Sequence, residues 1–184
     1  MIRRRANLKY KEKSMEGIEI TGVNHMMPII EGTEISEGRF FSPFDVRHRK
    51  NVVVIGENVR KEFFPNTAAV GEKISIKGHK FLIIGLFEKK GKMLFNDLDS
   101  RVQIPYLTFK KLIERDNRGA TIAVKSIHPD LLAEAEDEVH NLMRINRGLH
   151  PTEDDDFAIN QMNTLMDLYN QMTGFLWAVA IGIG

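Results

Sequence analysis

Six histidines and one acidic run are the side chains best suited to chemistry in this chain of 184 residues. The histidines are His25, His48, His79, His128, His140 and His150. No two of them stand at a helical i, i+4 or a finger-like spacing. Metal ligands must converge on one point, and most of these histidines fall at expected turns, so they read as turn or cap residues. The run Glu153 to Asp156 offers carboxylates to calcium. It lacks the alternating ligands and central glycine of a calcium loop and reads as a solvated loop. The nearest approach to a phosphate loop is "AAVGEKIS", Ala68 to Ser75. It has no upstream glycine, and Ile74 stands where a serine or threonine would bind magnesium. No dinucleotide fingerprint, nucleophile elbow or zinc-binding helix is present. The expectation is a protein that is not an enzyme, with no catalytic, metal or cofactor site.

Contact chemistry is a better prospect. In the loop from Glu88 to Ser100, Met93, Leu94 and Phe95 lie between charged residues. Exposed apolar groups with a polar rim often mark contact surfaces. The competing reading is that the three pack back on the preceding hairpin. At the C-terminus, Met162, Leu165, Met166, Tyr169 and Met172 follow the stripe of an amphipathic helix. From Gly174 the polar face disappears, and Phe175, Leu176, Trp177, Val179, Ile181 and Ile183 leave every side apolar. A helix that changes from one-sided to all-round apolar is passing from a protein surface into lipid. Ten apolar residues cannot cross a bilayer, which takes about 20. Residues 161–184 therefore read as a stalk helix and the first half of a transmembrane helix, cut off at Gly184.

Lys and Arg number 26 against 25 Asp and Glu. That balance gives no footprint for nucleic acid, which needs a strong basic bias. Without cysteine, disulfides and thiolate metal sites are excluded. The basic N-terminus, "MIRRRANLKYKEK", has no apolar core of a signal peptide behind it. It reads as an exposed strand with solvated Lys and Arg in preference to a lipid-binding arm.

These residues must be held by elements. Lys9 to Gly22 reads as two strands around a polar turn. "NHMMPIIEG" is a short turn or helix broken at Pro28, Gly38 turns the chain into the pair Phe40–Phe41, and "SPFDVRHRK" is a polar loop. "NVVVIG" is a strand buried on both faces, since its four central residues are all β-branched and apolar. "ENVRKEFFP" is a helix with Val59 and Phe63 inward. "EKISIK" and "FLIIGLF" alternate as a hairpin. Gly78-His79 reads as its type II′ turn, and Gly85 as a bulge or close backbone approach. "RVQIPY" is a strand and "LTFKKLIER" a helix. "TIAVKSI" is a strand leading through His128-Pro129 into a helix that ends at Gly148, with Leu132, Ala135, Val139 and Leu142 as its buried stripe. "FAIN" is a further strand, which would make Thr121 to Asn160 a βαβ unit.

In their order, the motifs "ITGVNHMMPII", "EISEGRFFSPFDV", "NVVVIGENVRKEFFP", "AAVGEKISIKGHKFLIIGLFEKKG" and "DSRVQIPY" resemble the extracytoplasmic domain of MacB-like ABC transporter permeases, which have an FtsX-like membrane domain. The family pattern runs through Gly-Arg-Phe, an apolar strand ending in Ile-Gly, Val-Gly-Lys, a hairpin and Ile-Pro. Here Glu72 separates the glycine from Lys73. The resemblance extends over "TIAVKS" and its helix and over "FLWAVAIGIG". It implies an α+β fold. A split αβ lobe would comprise residues 1–50 and 119–160, an inserted mainly-β lobe 51–118, and the stalk 161–184. It implies an inner-membrane protein with most of this chain on the periplasmic side, passing ATP-driven motion across the membrane for export or lipoprotein extraction. Its partners would be an ABC ATPase subunit, a second permease copy and a periplasmic adaptor. The alternative kept open is a soluble α+β binding module whose C-terminal helix packs into its own core or a dimer.

Overall fold

The computed structural model describes residues 1–93, 96–113 and 119–161. The chain is α+β and divides into two compact units, Met1–Lys125 and Ser126–Gly184. The first unit carries strands β1 (Ile2–Tyr10), β2 (Lys13–Val23), β3 (Ile35–Gly38), β4 (Val52–Ile55), β5 (Lys73–Ile76), β6 (His79–Phe87), β7 (Lys92–Met93), β8 (Asn96–Asp97) and β9 (Val102–Pro105). Its helices are α1 (Met27–Glu31), α2 (Pro43–Arg47), α3 (Glu57–Phe63) and α4 (Tyr106–Leu112). The second unit holds α5 (Leu132–Arg147), preceded by a 3-10 turn at Pro129–Leu131.

Seven strands follow the order β3-β6-β4-β9-β2-β1-β5, and β5 also pairs with β6. The sheet therefore closes on itself as the ring β6-β4-β9-β2-β1-β5, with β3 added beside β6. The pairs β2–β9 and β4–β6 are parallel and the other pairs of this sheet antiparallel. Closure removes the exposed edges that an open sheet must otherwise protect.

Period-two patterning explains which side of each strand turns inward. Along β1, Ile2, Ala6 and Leu8 are buried while Arg3, Arg5 and Lys9 face water. The basic N-terminus is thus the wet face of a barrel strand. Ring residues Leu8, Ile20, Val53, Ile55, Ile74, Ile76, Phe81, Ile83, Val102 and Ile104 belong to one core cluster, joined by Phe63, Phe64 and Phe109. A second cluster joins Val52, Val54 and Ile84 to Val23, Met27, Phe41, Val46 and Phe87. Strand β4 contributes alternate residues to both clusters, which is why all four of its residues are apolar and buried.

The boundaries differ from those expected. Strands from residues 1–50 and 51–118 interleave in one sheet, so those two spans are not separate lobes. Long-range pairing of β2 with β9 and of β1 with β5 fuses them. The stretch Thr121–Ile127 forms no strand. Thr121 exchanges backbone hydrogen bonds with Met1, its N–H reaching the Met1 carbonyl at 2.9 Å. Beyond that contact no described strand lies alongside, and Ile127 is 97% exposed. Phe157–Asn160 is likewise not a strand, so Thr121–Asn160 form no βαβ unit. On α5, Leu132, Ala135 and Val139 are half-buried, but Leu142 is 57% exposed.

Local chemistry corrects three further expectations. Pro28 sits in the first turn of α1, where its missing N–H costs nothing, so it starts that helix and does not break it. The β5–β6 turn is Lys77-Gly78, with φ of 49° and 84° and Ile76 opposite His79. Two positive φ values make a type I′ turn, which suits the twist of a hairpin. The polar loop after Phe41 contains α2, begun by a capping box. Asp45 N–H donates to Ser42 Oγ at 3.2 Å and Ser42 N–H to Asp45 Oδ2 at 2.8 Å. Gly85 behaves as expected. The β4–β6 register shifts beside it, and a Cβ there would lie 2.3 Å from the Arg39 carbonyl oxygen.

Asp45 is 5% exposed and also accepts from Arg39 Nη1 at 2.7 Å. Burial opposes its ionisation, but the bonds from Arg39 and Ser42 outweigh burial and hold the carboxyl at about 2, below its ordinary 3.8. A carboxyl depressed by folding stabilises fully above its unfolded value and loses that contribution as pH falls through the folded one. Asp45→Asn should therefore lower stability at neutral pH by about 2 kcal/mol. In urea melts the gap between variant and parent should close as pH falls from about 4 to about 2. A gap that does not vary with pH would contradict this account.

Candidate partner-contact loop

Met93 lies in β7, whose pairing with β8 sets Met93 opposite Asn96 and Lys92 opposite Asp97. Leu94 and Phe95 lie outside the described residues, as do Met162, Leu165, Met166, Tyr169, Met172, Phe175, Leu176, Trp177, Val179, Ile181 and Ile183. The structure thus places one of the three loop candidates, Met93, on a small ribbon. Among the described residues no helix is long and apolar enough to cross a membrane.

The ribbon stands on an anchored base. The buried Asp99 closes it from below: Oδ1 accepts from the N–H of Lys90 at 3.0 Å and of Gly91 at 3.1 Å. Gly91 has φ of 76°, a conformation that glycine adopts without strain. Residues Leu98–Ser100 form a 3-10 turn pressed against the start of α3. A Cβ on Gly56 would lie 2.2 Å from the Asp99 carbonyl oxygen, so no other residue fits there without moving the turn. The N–H of Gly56 donates to the Arg101 carbonyl at 2.9 Å, and Asn58 Nδ2 to Ser100 Oγ at 3.0 Å.

A second set of contacts ties the base to the α1–β3 connection. Glu88 N–H donates to the Glu34 carbonyl at 3.0 Å, and Lys90 Nζ to the Gly32 carbonyl at 2.5 Å. The Arg101 guanidinium is 13% exposed, lies 3.9 Å from the centre of the Phe87 ring, donates to Thr33 Oγ1 at 3.3 Å and faces Glu31 at 3.8 Å. Burial lowers its affinity for the proton, and Glu31 and Asp99 oppose that shift. Sequence reasoning missed Asp99, Arg101 and Gly56. No sequence signal sets Asp99 apart: it stands eight residues after Gly91 and two after Asp97.

This arrangement presents a short ribbon on a fixed base. It holds no nucleophile paired with a base. No three His, Asp or Glu side chains among the described residues are grouped as a metal would require.

The chain matches the family described as MacB-like periplasmic core domain over residues 1–142. It is 30% identical over 175 residues to the macrolide export ATP-binding/permease protein MacB of Bordetella avium, covering 93% of this chain and 25% of that protein. To the protein of the same name from Marinobacter nauticus it is 27% identical over 180 residues, covering 94% of this chain and 27% of the relative. The chain thus spans about a quarter of the length of these relatives. Its fold resembles the periplasmic region of MacB from Actinobacillus actinomycetemcomitans, with a TM-score of 0.70 and 21% identity, over 91% of this chain and 72% of that one. It also resembles the extracellular domain of the noncanonic ABC-type transporter YknZ from Gram-positive bacteria, with a TM-score of 0.62 and 17% identity, over 79% of this chain and 73% of the other.

Asp99→Ala removes the acceptor shared by two turn amides. Amide exchange at Lys90 and Gly91 should speed up by about tenfold or more, the equivalent of one hydrogen bond to a charged group. Exchange in β4 and β9 should not change. Equal protection of Lys90 and Gly91 in variant and parent would show that the base is held by something else.

Proposed function

Because the chain belongs to the MacB-like periplasmic core domain family, we propose that it works as the extracytoplasmic part of an ABC transporter permease in the inner membrane. The match over residues 1–142 carries this reading. Most of the chain lies on the periplasmic side, and residues 161–184 run as a stalk into the bilayer. The division expected from the family, 1–50 with 119–160 against 51–118, does not define the moving parts, because strands of 1–50 and 51–118 share one sheet. The barrel described above replaces it as the unit that moves. ATP hydrolysis belongs to protein outside these 184 residues. The family resemblance implies a separate ATPase subunit, whereas the relatives' names join ATP-binding and permease in one protein. Either arrangement leaves this chain to be moved by hydrolysis elsewhere. Its work is then mechanical: conformational change at the ATPase reaches the periplasmic side through the stalk and drives export or lipoprotein extraction.

The loop from Glu88 to Ser100, with Met93, Leu94 and Phe95 in its sequence, is the proposed contact for a periplasmic adaptor or a second permease copy. Its support is the base at Asp99 and Gly56, which costs the ribbon freedom before any partner arrives. Preorganisation of that kind lowers the entropic cost of binding. Replacing Met93 and Phe95 together by Ser should weaken co-purification with the partner by about tenfold, as loss of two buried apolar anchors would. The melting curve should not move. A lowered melting temperature with unchanged binding would mean that these side chains pack on the barrel instead.

Transmission through the stalk has its own test. Proline inside a helix removes a hydrogen bond and clashes with the preceding turn, costing about 3 kcal/mol or more. In the reconstituted transporter, Leu168→Pro should abolish transport while ATP hydrolysis continues. Full transport by an inserted and assembled Leu168→Pro protein would refute the mechanical role.

A further inference from the structure

The second unit contains a seam that its apolar pattern does not announce. Beyond α5 the chain turns at Gly148, whose φ of 69° ends the helix, and residues 149–161 come back along it. The contacts that hold this return segment are polar. Arg144 makes three of them: Nη1 donates to Asp155 Oδ1, and Nη2 to the carbonyls of His150 at 2.7 Å and Glu153 at 2.9 Å. His140 Nε2 meets Asp155 Oδ2 at 2.7 Å, and the His140 ring centre lies 5.6 Å from that of Phe157. Arg147 Nε reaches Asp156 at 3.3 Å, and Gln161 Nε2 donates to Glu136 Oε2. Within the return segment, His150 N–H donates to Glu153 Oε2 at 2.7 Å.

Residues 136, 140, 144 and 147 lie one helical turn apart, so these contacts form one line along α5. Arg144 is its centre. A planar guanidinium can serve a carboxylate and two carbonyls at once from a fixed fork, which an ammonium cannot do. The hydrogen bond from His140, opposed by burial and reinforced by Arg144, keeps the Asp155 carboxyl below its ordinary value. The acidic run, exposed as expected of a solvated loop, is nonetheless engaged at three of its four residues: Glu153 by the His150 N–H, Asp155 by Arg144 and Asp156 by Arg147.

We propose that Arg144 and Asp155 form a clasp that makes α5 and residues 149–161 one rigid lever, so that a displacement entering at Gln161 is passed to α5 and is not absorbed in the loop between them. That a displacement enters at Gln161 rests on the stalk reading above. The rigidity of the lever does not. A loop of this length without such contacts bends freely, and motion applied at one end is lost in it.

The chain has no cysteine, so spin labels can be placed uniquely at Glu138→Cys on α5 and Asp154→Cys on the return segment, both exposed in the structure. Dipolar spectroscopy on the full chain should give one narrow distance. Arg144→Gln should broaden that distribution by about twofold or more, as expected when a local contact of this size is lost. Asp155→Asn, which leaves α5 itself unaltered, should broaden it too, and the double variant should be little worse than Arg144→Gln alone. If Arg144→Gln reduces the helical signal in circular dichroism, Asp155→Asn decides the matter. A broad distance in the parent, or widths unchanged in Asp155→Asn, would overturn the clasp. These distances are read without any transporter, so failure here refutes the lever, whereas an unaffected Leu168→Pro transporter refutes the stalk.

Discussion

Two residue pairs, Leu8 with Ile76 and Lys9 with Ser75, close the ring of the first unit. Everything else in the barrel depends on that junction. Without it β1 and β5 would each present an open edge, and the sheet would have no interior. With it, Leu8 and Ile76 are wholly buried beside Ile74 and Phe81. Each such side chain gains about 1.5–3 kcal/mol from leaving water. The junction is supplied by the tight Lys77-Gly78 turn, which reverses the chain so that β5 meets β1 on one side and β6 on the other. A hairpin of local origin thereby completes a sheet whose other pairings, apart from the β1–β2 hairpin, are long-range.

Close backbone approaches decide where the ring opens into loops. Gly38 and Gly85 stand opposite each other where β3 lies against β6; a Cβ on Gly38 would lie 2.3 Å from the Ile84 carbonyl oxygen, and one on Gly85 2.3 Å from that of Arg39, just past β3. Gly56 does the same for the turn beneath the ribbon. Gly38 and Gly56 are the glycines of the Gly-Arg-Phe and Ile-Gly motifs on which the family resemblance rests. Their physical reason is room for a second backbone, and it links the family pattern directly to the placement of the contact loop.

Much of this was legible in the sequence. Alternation in "EKISIK" and "FLIIGLF" placed a hairpin, and four β-branched residues in a row placed a strand buried on both faces. Both are local signals; the hairpin is answered by the local pair β5–β6, and the apolar strand by β6 and β9, which flank it from farther along the chain. The boundary between lobes was not legible, because nothing in the periodicity of β1 or β2 says that β5 and β9 lie beside them. Thr121–Ile127 shows the converse: its apolar, β-branched residues have strand propensity, but past the Thr121–Met1 contact no strand among the described residues pairs with it, and propensity alone yields no strand. The helix α2 was overlooked although Ser42 and Asp45 stand at capping-box spacing. On α5, the apolar and the polar line have the same period, so the sequence alone could not tell which would meet the returning chain. In the candidate site, the apolar trio was visible as a type of surface. Its anchor at Asp99 was invisible because an aspartate that binds turn amides looks like any solvated aspartate.

The central claim is that this domain is moved by events at a distant ATPase. It is tested most directly by single-molecule energy transfer in the assembled, reconstituted transporter. One dye would sit at Lys89, exposed at the base of the ribbon, and the other at Glu138 on α5. The account predicts that adding a non-hydrolysable ATP analogue shifts the distance between them to a second, discrete value. The same distance with and without nucleotide, in transporters that hydrolyse ATP and export, would contradict it.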